Sequence, residues 1–110
     1  MSEVRDPHKA VEYILRNAKA HAKAKAERNY LEEYRKSLKA MLMKQCLETA
    51  IGAQEREAYA HEEYQQHLMA IREAVQKEEF LRWKMVAAEA MIEVWRSQEA
   101  TKRMDYKGTI

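Results

Sequence analysis

Residues 48–61, Glu48-Thr49-Ala50-Ile51-Gly52-Ala53-Gln54-Glu55-Arg56-Glu57-Ala58-Tyr59-Ala60-His61, hold the one interior glycine of the chain and decide its fold. The other glycine is Gly108 and the single proline is Pro7. Long stretches on either side of Gly52 therefore lack the residues that most readily stop a helix. Ile51 and Gly52 break the chain where a left-handed cap conformation costs least. Residues 53–60 then make one or two turns of helix, an elbow closed by Ala60 and His61. The reading is all-α: a long antiparallel helical hairpin with a short helical elbow, assembling into a dimeric or higher helix bundle.

Working back from the elbow, the first long helix spans 7–49. It opens at Asp6-Pro7, because a cap-position oxygen can accept from an orphan N–H and Pro at the first helical position loses a donor that had no partner. Residues 1–6 read as a flexible arm. Val11, Ile14, Leu15, Ala18, Ala22, Tyr30, Leu31, Tyr34, Leu38, Met41 and Leu42 recur at steps mostly of three and four, marking one apolar stripe. From Pro7 to Glu48 the rise gives a rod on the order of 63 Å, against a radius of gyration of about 13 Å for a compact domain of this size. An elongated molecule is expected.

Working forward, a second long helix spans 62–104 and a flexible tail 105–110. Its stripe runs through Tyr64, Leu68, Ile71 and Val75, is interrupted over Gln76 to Glu79, and resumes with Leu81, Met85, Ala88, Ile92 and Trp95. Glu12 with Arg16, Glu32 with Lys36, Glu73 with Lys77, Glu78 with Arg82 and Glu99 with Arg103 stand at i,i+4 in the favourable order. Each such pair is worth about 0.2–0.5 kcal/mol. They suit long solvated helix faces.

Composition agrees. Charged residues make up 35% of the 110 residues in near balance, for a net charge of +2, and strand-favouring residues are scarce. The 46% hydrophobic fraction includes 17 alanines, which remove little apolar area from water when buried. The length suits one domain, 1–110. No run of 18 or more apolar residues and no signal-like h-region is visible, so a cytoplasmic protein with no membrane span is expected. The lone Cys46 cannot form an internal disulfide, which agrees with a reducing compartment.

Phe80 to Trp95 carries the sharpest inference. Apolar residues cover most of the helix circumference there, with Arg82, Lys84, Glu89 and Glu93 as the main polar interruptions. In a hairpin with its tip near residue 56, this segment would lie beside Ala18 to Leu31, where small alanines cannot hide two indoles. The surplus apolar surface calls for another subunit, and a homodimeric four-helix bundle is the commonest closed solution. Phe80, Trp83, Val86, Met91 and Trp95 are the expected oligomer interface.

No residue constellation encodes a reaction, so no catalytic residue is assigned. There is no phosphate-cradling Gly-rich loop, Gly-x-Ser-x-Gly, Cys-x-x-Cys or His-Glu-x-x-His. His8, His21, His61 and His67 are dispersed and lack the Glu-x-x-His repeats of di-metal bundles. No metal and no cofactor are expected, and hydrogen bonding at the surface or at helix ends is the expected role of these histidines. Cys46 reads as a small buried hydrophobe.

Charge is uneven along the chain. Residues 1–28 carry seven Lys/Arg against four Asp/Glu, residues 51–79 three against seven, and residues 80–110 six against four. A hairpin therefore has an acidic elbow and a basic open end. Arg16, Lys19, Lys23, Lys25, Arg28, Lys102 and Arg103 are the candidate nucleic-acid contacts, since clustered cations can neutralise phosphates without reading sequence. The alternating Ala-Lys of Ala18 to Ala26 is equally what a solvated, propensity-driven helix surface looks like.

Three stretches carry a resemblance: Tyr30-Leu31-Glu32-Glu33-Tyr34-Arg35-Lys36-Ser37-Leu38-Lys39, Ala53-Gln54-Glu55-Arg56-Glu57-Ala58-Tyr59-Ala60-His61 and Ile92-Glu93-Val94-Trp95-Arg96-Ser97-Gln98. Over about Tyr30 to Arg103 the chain resembles small helical proteins encoded by tailed phages and prophages. The resemblance implies a gene lying among phage recombination and replication functions, hence the host cytoplasm, and it transfers no catalytic residue. Two readings follow. One is a non-enzymatic oligomeric accessory of phage DNA recombination or replication that touches DNA through the basic open end. The other is an adaptor or inhibitor that binds a host or phage protein through the acidic elbow, with Glu55, Glu57, Glu62 and Glu63.

Overall fold

A computed structural model describes residues 6–109. Every regular element among them is helical: α1 (Pro7–Gln45), α2 (Ile51–Ala60) and α3 (Glu62–Thr109), of 39, 10 and 48 residues. The expected arm lies outside the described residues except for Asp6. Asp6 caps α1 through two of its oxygens: Oδ1 accepts from the His8 N–H at 2.9 Å and the carbonyl accepts from the Ala10 N–H at 3.1 Å.

The break between the long helices is made differently from expectation. The long helix expected to reach residue 49 ends at Gln45, and Gly52 lies inside the first turn of α2. No described residue has a left-handed φ. The reversal instead uses two extended residues that need no glycine, Ala50 (φ −75°, ψ 133°) and His61 (φ −65°, ψ 140°). Side chains satisfy the nearby backbone: Gln54 Nε2 donates to the Glu48 carbonyl at 2.9 Å and Gln65 Nε2 to the Tyr59 carbonyl at 2.7 Å. His61 Nδ1 accepts from the Glu63 N–H at 3.1 Å and so caps α3. At the other end α3 continues to Thr109 rather than stopping at Met104, since Gly108 alone does not terminate it.

The chain divides into two compact units, and α1 and α3 each contribute a segment to both. One unit comprises residues 22–79. Within it, α1 and α3 run antiparallel, with Leu31 opposite His67 and Leu38 beside Tyr64. Its core is Leu38, Leu42, Ala58 and Tyr64, with Tyr34 and Met43 packed against it. α2 closes this core: Ala58 is fully buried, and Tyr59 meets Tyr64 edge-on at 5.3 Å between ring centroids. Because α2 folds back onto α1, α3 begins already alongside Leu38, which advances the pairing of the long helices relative to a hairpin with its tip near residue 56.

The other unit comprises residues up to His21 together with Phe80 onward. Here Ala10 and Ala88 are buried between antiparallel segments of α1 and α3, with Tyr13, Ile14, Leu81, Met85 and Ile92 half-buried. Phe80 to Trp95 accordingly shares its unit with Lys9 to Arg16 and with Ala18 to His21, the first part of the Ala18 to Leu31 stretch expected beside it. No large side chain among the described residues is fully buried.

Candidate assembly face and basic groove

α3 turns two sides to its surroundings within the unit of residues 6–21 and 80–109. Leu81, Met85, Ala88 and Ile92 recur on the side toward α1 and are buried or half-buried. Phe80, Trp83, Ala87, Ala90 and Val94 recur at alternating steps of three and four on another side, and all are exposed: Phe80 and Trp83 by 59% each, Val94 by 57%. Ser97, Thr101 and Met104 continue the same register and are exposed as well. This is heptad spacing on a helix face without a partner helix.

Four of the five expected interface residues, Phe80, Trp83, Val86 and Trp95, are exposed. Met91 departs from that set. It is half-buried and lines a groove of about 360 Å³ between α1 and α3, so it serves the unit's own packing. On α1, Val11 and Leu15, read as core from their spacing, are exposed too, Leu15 by 74%. A stripe of alanines and β-branched residues on two antiparallel helices offers too little opposing surface to cover both.

The groove itself was not evident in the sequence. Ala10, Tyr13, Ala87, Ala88 and Met91 line it together with the cations Lys9, Arg16 and Lys84, with no carboxylate among the lining residues. Lys84 Nζ lies 4.7 Å from the Phe80 ring centroid and 6.0 Å from that of Tyr13. Arg82 stands over the Trp83 ring at 4.6 Å. Aromatic faces attract such cations through the ring quadrupole.

The cations proposed for nucleic acid divide between the units. Arg16, Lys19, Lys102 and Arg103 belong to the unit of the groove, and Lys23, Lys25 and Arg28 to the other. Arg16, Lys19, Lys23, Lys25 and Arg103 are exposed and make no ion pair with another described residue. Lys102 reaches Glu99 at 3.5 Å while remaining mostly exposed. Arg28 is committed elsewhere: it donates Nε and Nη2 to Glu78 and Nη1 to Glu32, the last at 3.0 Å. The hydrogen bond to Glu78, with the charges of Glu78 and Glu32 beside it, raises the guanidinium's already high pKa. Arg28 leaves the candidate surface.

Glu78 explains the polar break at Gln76 to Glu79. Gln76 and Lys77 face water, whereas Glu78 is buried at 7% exposure against Arg28. The signal was present: Ile71, Val75, Glu78, Leu81 and Met85 keep helical spacing, so Glu78 occupies a stripe position and requires a cation opposite it.

In the elbow, Lys39 meets α2 at two residues, Tyr59 and Glu55. Its Nζ lies 4.6 Å from the Tyr59 ring centroid and 3.7 Å from Glu55 Oε1, and hydrogen bonding to Tyr59, followed by the charge of Glu55, raises its pKa. Glu57, Glu62 and Glu63 are exposed there. A second depression, about 430 Å³, is lined by Cys46, Glu48, Glu57 and His61 among others. Among the described residues no group of three or more His, Cys, Asp and Glu could hold a metal ion, and no helix is long and apolar enough to cross a membrane. No protein family, curated protein or solved structure matches the chain.

Proposed function

We propose that this chain is a non-enzymatic helical accessory protein of phage type that works as an oligomer and contacts nucleic acid through exposed cations. The observation that carries the reading is the exposure of Phe80 and Trp83 at heptad spacing on α3. Large aromatic side chains left wet on a repeating helix face are what subunit association removes from water. The nucleic-acid part is supported by Arg16, Lys19, Lys23, Lys25 and Arg103, which no carboxylate among the described residues neutralises. Cations without local partners can displace the counterions of a phosphate backbone. Nothing in the site arranges a nucleophile with a base, and the proposed role is binding rather than turnover.

Analytical ultracentrifugation combined with fluorescence anisotropy on labelled DNA tests the reading. Association into dimers or larger species, together with DNA binding that weakens as salt rises, supports it. A monomer that ignores DNA at low salt overturns it. An adaptor acting through the acidic elbow would instead lose its partner on charge reversal at Glu57, Glu62 and Glu63 and be indifferent to reversal at Lys19, Lys23 and Lys25.

A further inference from the structure

The exposed seam of α3 is self-complementary in volume. Reading along it, Phe80 and Trp83 are large, Ala87 and Ala90 are small, and the four stand at steps of three, four and three. A parallel pair of such helices in register would set indole against indole and methyl against methyl. The helix axes would be forced apart at one end, leaving a void at the other. An antiparallel pair in which Phe80 faces Ala90 of a second copy, and Trp83 faces its Ala87, matches each ring to a small residue and keeps the axes evenly spaced. Knobs-into-holes packing requires such spacing.

The structure also supplies the hole. Ala87 lines the groove of about 360 Å³ together with the apolar Met91 and Ala10 and the cations Arg16 and Lys84. An indole is the aromatic side chain that cations favour most, and a lining that mixes apolar and cationic side chains suits its amphipathic ring. We infer that this groove receives the Trp83 indole of a second copy of this chain, in an antiparallel two-fold dimer. By symmetry each copy fills the other's groove, so the contact closes at two chains along this face. Taking about 150–250 Å² for an aromatic side chain, the exposed parts of Phe80, Trp83, Val86 and Val94 with the intervening alanines come to roughly 500 Å² per copy. With full coverage a pair buries about 1,000 Å², the lower limit for a specific interface and the range of a weak, reversible one.

This inference rests on the assembly reading and adds to it the partner, the direction and the pocket. The test uses the full chain with Cys46→Ser as background. Copies carrying Phe80→Cys are mixed with copies carrying Ala90→Cys under mild oxidation, and copies carrying Val94→Cys are oxidised alone. Circular dichroism checks that each variant stays helical, and sedimentation records its association before oxidation. The expected result is a disulfide-linked 80–90 heterodimer and no 94–94 homodimer, because the two Val94 positions lie about 27 Å apart along antiparallel axes. In the otherwise unsubstituted Trp95→Phe chain, the remaining Trp83 emission should shift to shorter wavelength on association and return on dilution. Trp83→Ala should weaken self-association on the order of thirty-fold, the scale of an interface hot spot. A dimer that links through Val94 and not through 80 and 90 overturns the antiparallel arrangement and leaves the assembly reading standing. A helical monomer overturns both.

Discussion

Arg28 of α1 and Glu78 of α3 are joined by two hydrogen bonds, from Nε and Nη2 to the two carboxylate oxygens, at a point where Glu78 is almost completely buried. The planar guanidinium fork matches the carboxylate, and Glu32 takes a third bond from Nη1. This pair fixes the register of the two helices within its unit. A shift by one residue would part the buried Glu78 from the Arg28 fork.

Removal of either partner is therefore costlier than replacement of both. Arg28→Ala should lower the thermal midpoint by about 5–10 °C, since it takes two charge-assisted hydrogen bonds from a buried carboxylate. Arg28→Met with Glu78→Leu should recover most of that loss, because apolar side chains of similar reach suit the same position. Thermal melts of the two single variants and the double variant check the prediction. Equal losses that simply add would show that the pair is not coupled.

Lys39 gives the elbow a dependence on alkaline pH. Its folded-state pKa is raised above the ordinary 10.5, first by hydrogen bonding to Tyr59 and then by Glu55. A raised lysine pKa contributes stability that is complete below the unfolded value and is lost as pH rises through the folded value. Unfolding by denaturant should therefore become easier as pH climbs beyond about 10.5, and Lys39→Met should flatten that limb of the profile. An unchanged profile in the variant would remove Lys39 from the account.

The fold was legible in part. The scarcity of glycine and proline pointed to long helices, and Asp6-Pro7 marked the start of α1 because both cap functions are local in sequence. Gly52 misled, because its freedom was not needed: Ala50 and His61 turn the chain in ordinary extended conformations. The pairing register was not readable either, since it follows from α2 folding back on Leu38 and Leu42, a tertiary event with no periodic signature. For the candidate site, the sequence places an apolar excess around Trp83, and Phe80, Trp83, Val86 and Trp95 are exposed. Spacing could not separate Met91, on the groove side, from Val86, on the exposed side, because both lie within a nearly continuous apolar run. Arg28 looked like its basic neighbours until Glu78 was found opposite it.

His61 shows what the histidines contribute. With its Nδ1 accepting from the Glu63 N–H, it starts α3 as an N-cap. His61→Ala should cost about 1 kcal/mol and His61→Asn only a fraction of that, because asparagine is a strong cap. Chemical denaturation of the two variants separates a capping role from a packing one.

The nucleic-acid proposal makes a salt-resolved prediction. Reversal of Lys19, Lys23 and Lys25 together to glutamate should abolish DNA binding at low salt and leave self-association unchanged. Single replacement of a contacting lysine by glutamine should reduce the slope of log affinity against log salt by about 0.9. Slopes that do not move would assign these lysines to a solvated helix surface.

Sedimentation equilibrium of the full chain across the micromolar range bears most directly on the account as a whole. It predicts a mass of two or more copies that dissociates on dilution, with Trp83→Ala shifted toward the single chain. A well-folded, heat-resistant monomer at those concentrations, with both indoles still in water, would contradict it.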